Sequence, residues 1–158
     1  MQRIILAAAF CLVAAAGQAS ANDAFKRLEG QWQGKGTIEF SNKSKETLRC
    51  RASYDVLQSG SNVQLAIRCA SDSYRIELMG NASEANGKVT GSWSEGTLNV
   101  SGTLSGSAAG GNIHVTAASP AFTAAFGVVT NGGRQTVSIR SQTPDSTIHG
   151  ATISLARN

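Results

Sequence analysis

Arg49-Cys50-Arg51-Ala52-Ser53-Tyr54-Asp55-Val56-Leu57-Gln58-Ser59-Gly60-Ser61-Asn62-Val63-Gln64-Leu65-Ala66-Ile67-Arg68-Cys69 is two alternating strands around a turn. Apolar side chains occupy every second position on both sides of Ser59-Gly60, the period of a strand with one buried face. A loop over Gln58 to Ser61 sets Val56 opposite Val63, Tyr54 opposite Leu65, Ala52 opposite Ile67 and Cys50 opposite Cys69. A slip by one residue would turn every one of these side chains outward. The cysteines therefore obey the register that the apolar residues set. Opposed residues at a non-hydrogen-bonded pair lie about 4.5 Å apart at Cα, within reach of a disulfide. A Cys50–Cys69 bridge joining adjacent strands is expected.

The same alternation runs outward in both directions, with turn signals about every ten residues. Trp32 to Phe40 forms the strand before it. Tyr74 to Leu78, Val89 to Trp93, Leu98 to Leu104, Ile113 to Ala117, Phe122 to Val128, Val137 to Ile139 and Ile148 to Leu155 follow. Glu95-Gly96 and Asn131-Gly132 read as tight turns, pairing Trp93 with Leu98 and Phe126 with Val137. Asn86-Gly87 pairs Gly80 with Trp93. Only Asn22 to Gly30 reads as a short helix, with Asp23 as its cap. The expected fold is all-β: an antiparallel up-and-down meander of about ten strands. Closure into a barrel removes its edges; a flattened sandwich is the alternative.

The N-terminus supplies an address. Positive Arg3, the apolar run Ile4 to Ala16 and the small-residue site Ala19-Ser20-Ala21 follow the order of a secretory signal. Residues 1–21 are thus expected to be removed, leaving 22–158 as a single domain, periplasmic or secreted. The apolar run is shorter than the roughly 20 residues that span a bilayer, so the chain is read as not membrane-spanning. The chain has three cysteines, and removal of Cys11 with the leader would leave the pair already matched by register.

Fourteen Lys and Arg stand against ten Asp and Glu, without a basic tract or an aromatic-basic motif, which argues against nucleic acid. No nucleophile elbow, phosphate loop or metal-ligand spacing is present, and neither histidine has an evident carboxylate to orient it. No carboxylate falls on an inward position of the strands as read, which argues against a general acid/base pair. The chain is read as not an enzyme and as needing no cofactor.

Two features point to binding. Inward positions are rich in Gly and Ala: Gly34, Gly36, Ala52, Gly80, Ala82, Gly91, Gly102, Ala117 and Ala124. Such a lining either encloses a cavity for a small apolar ligand or lets the walls collapse together. The second feature is outward. Arg51 falls opposite Arg68, a tight Ser71-Asp72 turn would set Arg68 opposite Arg75, and Arg49 lies diagonal to this row. Like charges directly opposed in a sheet repel, so an anionic envelope component (glycan, lipid or protein) is a candidate partner. A solvated basic face balanced by Glu39 across from Arg49 and by Glu77 beside Arg75 is the other reading.

Gly30-Gln31-Trp32, after a short helix and opening the first strand, resembles the GxW motif of the calycins, the lipocalin and fatty-acid-binding group. That resemblance implies a ligand-holding barrel closed by a basic residue of the last strand across the Trp, a role that would fall to Arg157. The longer Gly30-Gln31-Trp32-Gln33-Gly34-Lys35-Gly36 resembles the start of nitrobindins, which would imply haem binding with His149 as the candidate ligand. Counting back from Arg157 turns His149 inward, counting from Ile148 turns it outward, and a bulge at Gly150 would reconcile the two. The whole chain also resembles uncharacterised small secreted alphaproteobacterial proteins, through Arg49-Cys50-Arg51 and Arg68-Cys69-Ala70-Ser71.

Overall fold

The computed structural model describes residues 24–57 and 60–158. The expected leader 1–21, Asp23, and Gln58 and Ser59 of the loop after Leu57 lie outside the described residues. Ten strands follow in chain order: β1 Gly30–Phe40, β2 Lys45–Leu57, β3 Asn62–Ala70, β4 Arg75–Ala85 and β5 Lys88–Glu95, then β6 Val100–Ala109, β7 Asn112–Ala118, β8 Thr123–Asn131, β9 Arg134–Ser141 and β10 Ile148–Arg157. Each pairs antiparallel with its chain neighbours, and β10 returns to β1, so the sheet closes into a barrel. The sandwich alternative is thereby excluded.

The helix expected over Asn22 to Gly30 is, among the described residues, a single 3-10 turn, Lys26–Leu28. It plugs one end of the barrel, burying Phe25 and Leu28. The Phe25 N–H donates to the Gly60 carbonyl (3.3 Å) and the Trp32 indole N–H to the Leu28 carbonyl (2.7 Å). The barrel therefore has a closed end, where β1 and β3 begin, and an opposite end ringed by the 41–44, 71–74, 96–99, 119–122 and 142–147 connections.

Closure between β1 and β10 depends on a missing side chain. A Cβ at Gly34 would collide with the Ser154 carbonyl oxygen, because the strands approach closely and coil there. Gly91, Gly102 and Gly106 meet neighbouring carbonyls in the same way. Part of the small-residue lining thus serves strand curvature and is not, by itself, a measure of interior volume.

The β2–β3 register is as expected: Val56↔Val63, Tyr54↔Leu65, Ala52↔Ile67 and Cys50↔Cys69, with the disulfide formed and its Cα atoms 4.1 Å apart. Gly80 faces Trp93 across β4–β5, also as expected. Four other pairings differ. Trp93 faces Gly102, not Leu98, because the β5–β6 loop runs over 96–99 and is held by the Glu95 carboxylate, which accepts the Leu98 N–H (2.6 Å). Phe126 faces Ile139 and Val128 faces Val137, because the turn sits at Gly132-Gly133, where Gly132 takes φ +59. Arg68 faces Glu77, and Arg75 faces Ala70. The loop there runs over 71–74: the Ser71 N–H donates to the Tyr74 carbonyl (2.9 Å), and Glu46 of β2 accepts the Ser73 N–H (3.1 Å). Finally, Glu39 pairs with Lys45, and Arg49 with Lys35.

Candidate functional site

Inside the barrel lies a cavity of about 420 Å³, reaching from Phe25 and Leu28 at the plug to Tyr74, Leu98 and Phe122 at the other end. Leu65, Ile67, Phe126 and Val128 are among its walls. The alternation of the strands produces this lining directly, since one face of every strand must turn inward in a closed sheet. Two edge-to-face aromatic pairs stand at the open end: Phe40 with Tyr74, centroids 6.4 Å apart, and Trp93 with Phe122, 6.2 Å apart. The Trp93 indole N–H is engaged by the Thr103 carbonyl at 3.2 Å, which orients the ring.

Polar groups meet this interior at two levels. Toward the closed end, the Tyr54 hydroxyl donates to Gln135 Oε1 (2.9 Å), and the Gln135 amide donates to Thr130 Oγ1 (3.1 Å). Burial pushes the Tyr54 phenol up, so it stays neutral. Toward the open end, Glu95 is the one carboxylate among the lining residues. Burial pushes its carboxyl up, but the N–H groups of Glu77, Leu98 and Thr97 and the Thr97 hydroxyl together hold it below the usual carboxylate range.

Several of these groups escaped the sequence reading although parity marked them. Thr130 follows Phe126 and Val128 on one face of β8, and Gln135 precedes Val137 and Ile139 on β9. Glu84 follows Gly80 and Ala82 on β4; it is 4% exposed, which corrects the expectation that no strand carboxylate turns inward. Its Oε1 accepts the Gly87 N–H while Oε2 has no partner among the described residues. Glu84 pairs with Val89, at the far end of β5 from Glu95, so the two carboxylates stand roughly 20 Å apart along the strand. At that distance they do not share one reacting bond.

His149 is skipped where β1 pairs with β10: Glu39 faces Gly150 and Phe40 faces Ile148. The bulge leaves the imidazole exposed and outside the cavity lining. The inward count from Arg157 is corrected by this extra residue, and no cavity residue supplies an imidazole for haem. His114 is exposed as well, and no group of three His, Cys, Asp or Glu suited to a metal ion occurs among the described residues.

Trp32 and Arg157 are direct partners across the β1–β10 seam, with the guanidinium 4.6 Å from the ring centre. On the outer wall, Arg51 faces Arg68, one residue from the disulfide. Arg49 and Arg75 flank Ala70 in the adjacent row. Arg68 and Arg75 are diagonal neighbours, not opposed. Together with Lys35, which the sequence reading omitted, these side chains ring a surface basin of about 490 Å³.

No family profile matches the chain, and no curated protein matches it in sequence. Solved structures do match. Rv2717c from M. tuberculosis superposes with a TM-score of 0.68 at 12% identity, covering 89% of this chain and 98% of that one. The S-type phycobiliprotein lyase CPES from Guillardia theta superposes with a TM-score of 0.60 at 9% identity, covering 85% and 90%. The likeness is one of fold alone, a closed β-barrel. No helix among the described residues is long and apolar enough to cross a membrane.

Proposed function

We propose that this protein is a non-catalytic carrier of a small apolar molecule, acting in the periplasm or outside the cell. The observation that carries the reading is the apolar cavity of about 420 Å³, walled by side chains from all round the barrel and leading to an aromatic rim. Binding sites for small molecules are concave, mostly apolar, and span roughly 300–1,000 Å³; this one lies at the small end. The barrel fold shared with a phycobiliprotein lyase is compatible with small-molecule binding. Because Glu95 stays ionised at the open end, a neutral or cationic head group suits that end better than a carboxylate does. The extracytoplasmic address rests on the leader-like residues 1–21 and on the Cys50–Cys69 bridge, which persists in oxidising compartments.

Native mass spectrometry of protein purified gently from its own host is the direct test: a retained apolar molecule, released on denaturation, is expected. Titration with 1-decanol and with decanoate extends it. The alcohol should quench or shift Trp93 fluorescence at lower concentration than the acid. A protein that carries nothing from its host and ignores both probes would remove the reading.

A further inference from the structure

We propose that the outer wall of β1–β4 carries a second, separate binding site: a basin that takes the phosphomonoester of a phosphorylated saccharide. Its construction begins with Ala70. In the row Lys35, Arg49, Ala70, Arg75, the small side chain of Ala70 leaves a hole between two arginines. The next row places Gln33, Arg51, Arg68 and Glu77 side by side. Five cationic side chains and one carboxylate, Glu77, therefore line a depression of about 490 Å³.

The charges are held there against their own repulsion. Arg51 and Arg68 face each other directly, an arrangement that destabilises a sheet. They cannot slip apart, because the Cys50–Cys69 bond sits one residue away on both strands. Among the described residues, none of Arg49, Arg51, Arg68 and Arg75 has a carboxylate within ion-pair distance, although Lys45 and Glu39 pair nearby at 3.4 Å. Glu77 faces Arg68 without pairing to it. All five cations are exposed, so an incoming anion meets them without having to displace another side chain.

The chemistry of the occupant follows from the arrangement. A guanidinium fork binds two oxygens of one anion. A carboxylate is used up by one fork, whereas a phosphomonoester offers three oxygens and a charge of about −1.5 to −2 to several. The basin is far larger than one phosphate needs, a water occupying only about 30 Å³, and its edges carry Gln33 and Glu77, which suit sugar hydroxyls. A bilayer suits it less. The exposed large apolar side chains, Leu57, Met79, Leu98 and Val129, are all absent from the basin, so nothing there would anchor in lipid. A peptide has no strand edge to join, since the barrel is closed.

Calorimetric titration of the mature protein at low salt tests this with four probes: glucose 6-phosphate, glucose, inorganic phosphate, and vesicles of phosphatidylglycerol in phosphatidylcholine. Glucose 6-phosphate should bind, inorganic phosphate should bind more weakly, and glucose and the vesicles should not bind. Arg51→Gln with Arg68→Gln should weaken binding about tenfold or more through the lost forks, while melting no earlier than the wild type. Arg134→Gln, at the β8–β9 turn, should leave binding unchanged. Binding should fall steeply as salt rises. Absence of glucose 6-phosphate binding, equal binding by the double variant, or binding of vesicles alone would overturn the proposal. So would a double variant much less stable than the wild type, since the arginines would then be serving the fold.

Discussion

The Arg157 guanidinium lies over the Trp32 ring at 4.6 Å while donating a 2.7 Å hydrogen bond to the Arg27 carbonyl, so one side chain joins the first strand, the last strand and the plug. A cation over an indole contributes about 0.5–2 kcal/mol. Arg157→Ala should therefore lower the free energy of unfolding by about 1–2 kcal/mol. Arg134→Ala, at the β8–β9 turn, should change it by less than about 0.5 kcal/mol. Urea titration of both variants decides; equal losses would mean that closure does not depend on this contact.

The disulfide can be weighed separately. Peptide mapping of exported protein without reductant should recover Cys50 joined to Cys69. The closed loop spans 19 residues in sequence, so reduction should cost about 3 kcal/mol. Reduced and oxidised protein with the same urea midpoint would show that the barrel alone sets the β2–β3 register.

The cavity should be fillable. Val128 lines it and is only half-buried, between Ile113 and Val137 on neighbouring strands. Val128→Phe adds volume where there is space, so its stability should stay within about 1.5 kcal/mol of the wild type. Its affinity for 1-decanol should drop at least several-fold. Unchanged affinity in a folded Val128→Phe protein would place the ligand elsewhere.

Glu95 should give the open end a pH dependence. Its folded carboxyl holds a proton less tightly than the unfolded one, because backbone N–H groups favour the charged form. That contribution is complete above the ordinary carboxylate range, near 4.3, and fades as pH falls through the lower folded value. Glu95→Gln should therefore flatten the acid side of the stability profile and quicken amide exchange at Leu98 and Glu77, two of its backbone partners. Thermal unfolding between pH 3 and pH 6 measures the first, and NMR exchange the second. Superimposable profiles would show that the 96–99 loop does not need the charge.

The contrast between β2–β3 and β4–β5, found as expected, and the misread hairpins explains what was legible. In every misread hairpin the pairing moved by an even number of residues: Trp93 from Leu98 to Gly102, Phe126 from Val137 to Ile139, Arg68 from Arg75 to Glu77. Within the strands each of these residues kept its face; Leu98, expected inward, falls in the 96–99 loop and is exposed. Alternation carries the face of a residue, because an odd slip would expose the whole apolar set. It carries nothing about which inward residue meets which, because an even slip costs no burial. Two registers came out as read: β4–β5, with Gly80 facing Trp93, and β2–β3, where a covalent partner also distinguishes one even register from the next.

The sequence by itself therefore determined the class, the parity of the strands and the disulfide, while the resemblance at Gly30-Gln31-Trp32 pointed to Arg157 as the partner of Trp32 across β1–β10. Tertiary contacts decided the rest. Glu46 of β2 grips the 71–74 loop and so sets Glu77 rather than Arg75 beside Arg68. A bulge between Glu39 and Phe40 turns His149 out to solvent. The space left by ten coiled strands around their own side chains became a cavity instead of a collapsed core. These outcomes depend on distances between strands far apart in the chain, and a closed sheet sets those distances only when all of its strands are in place.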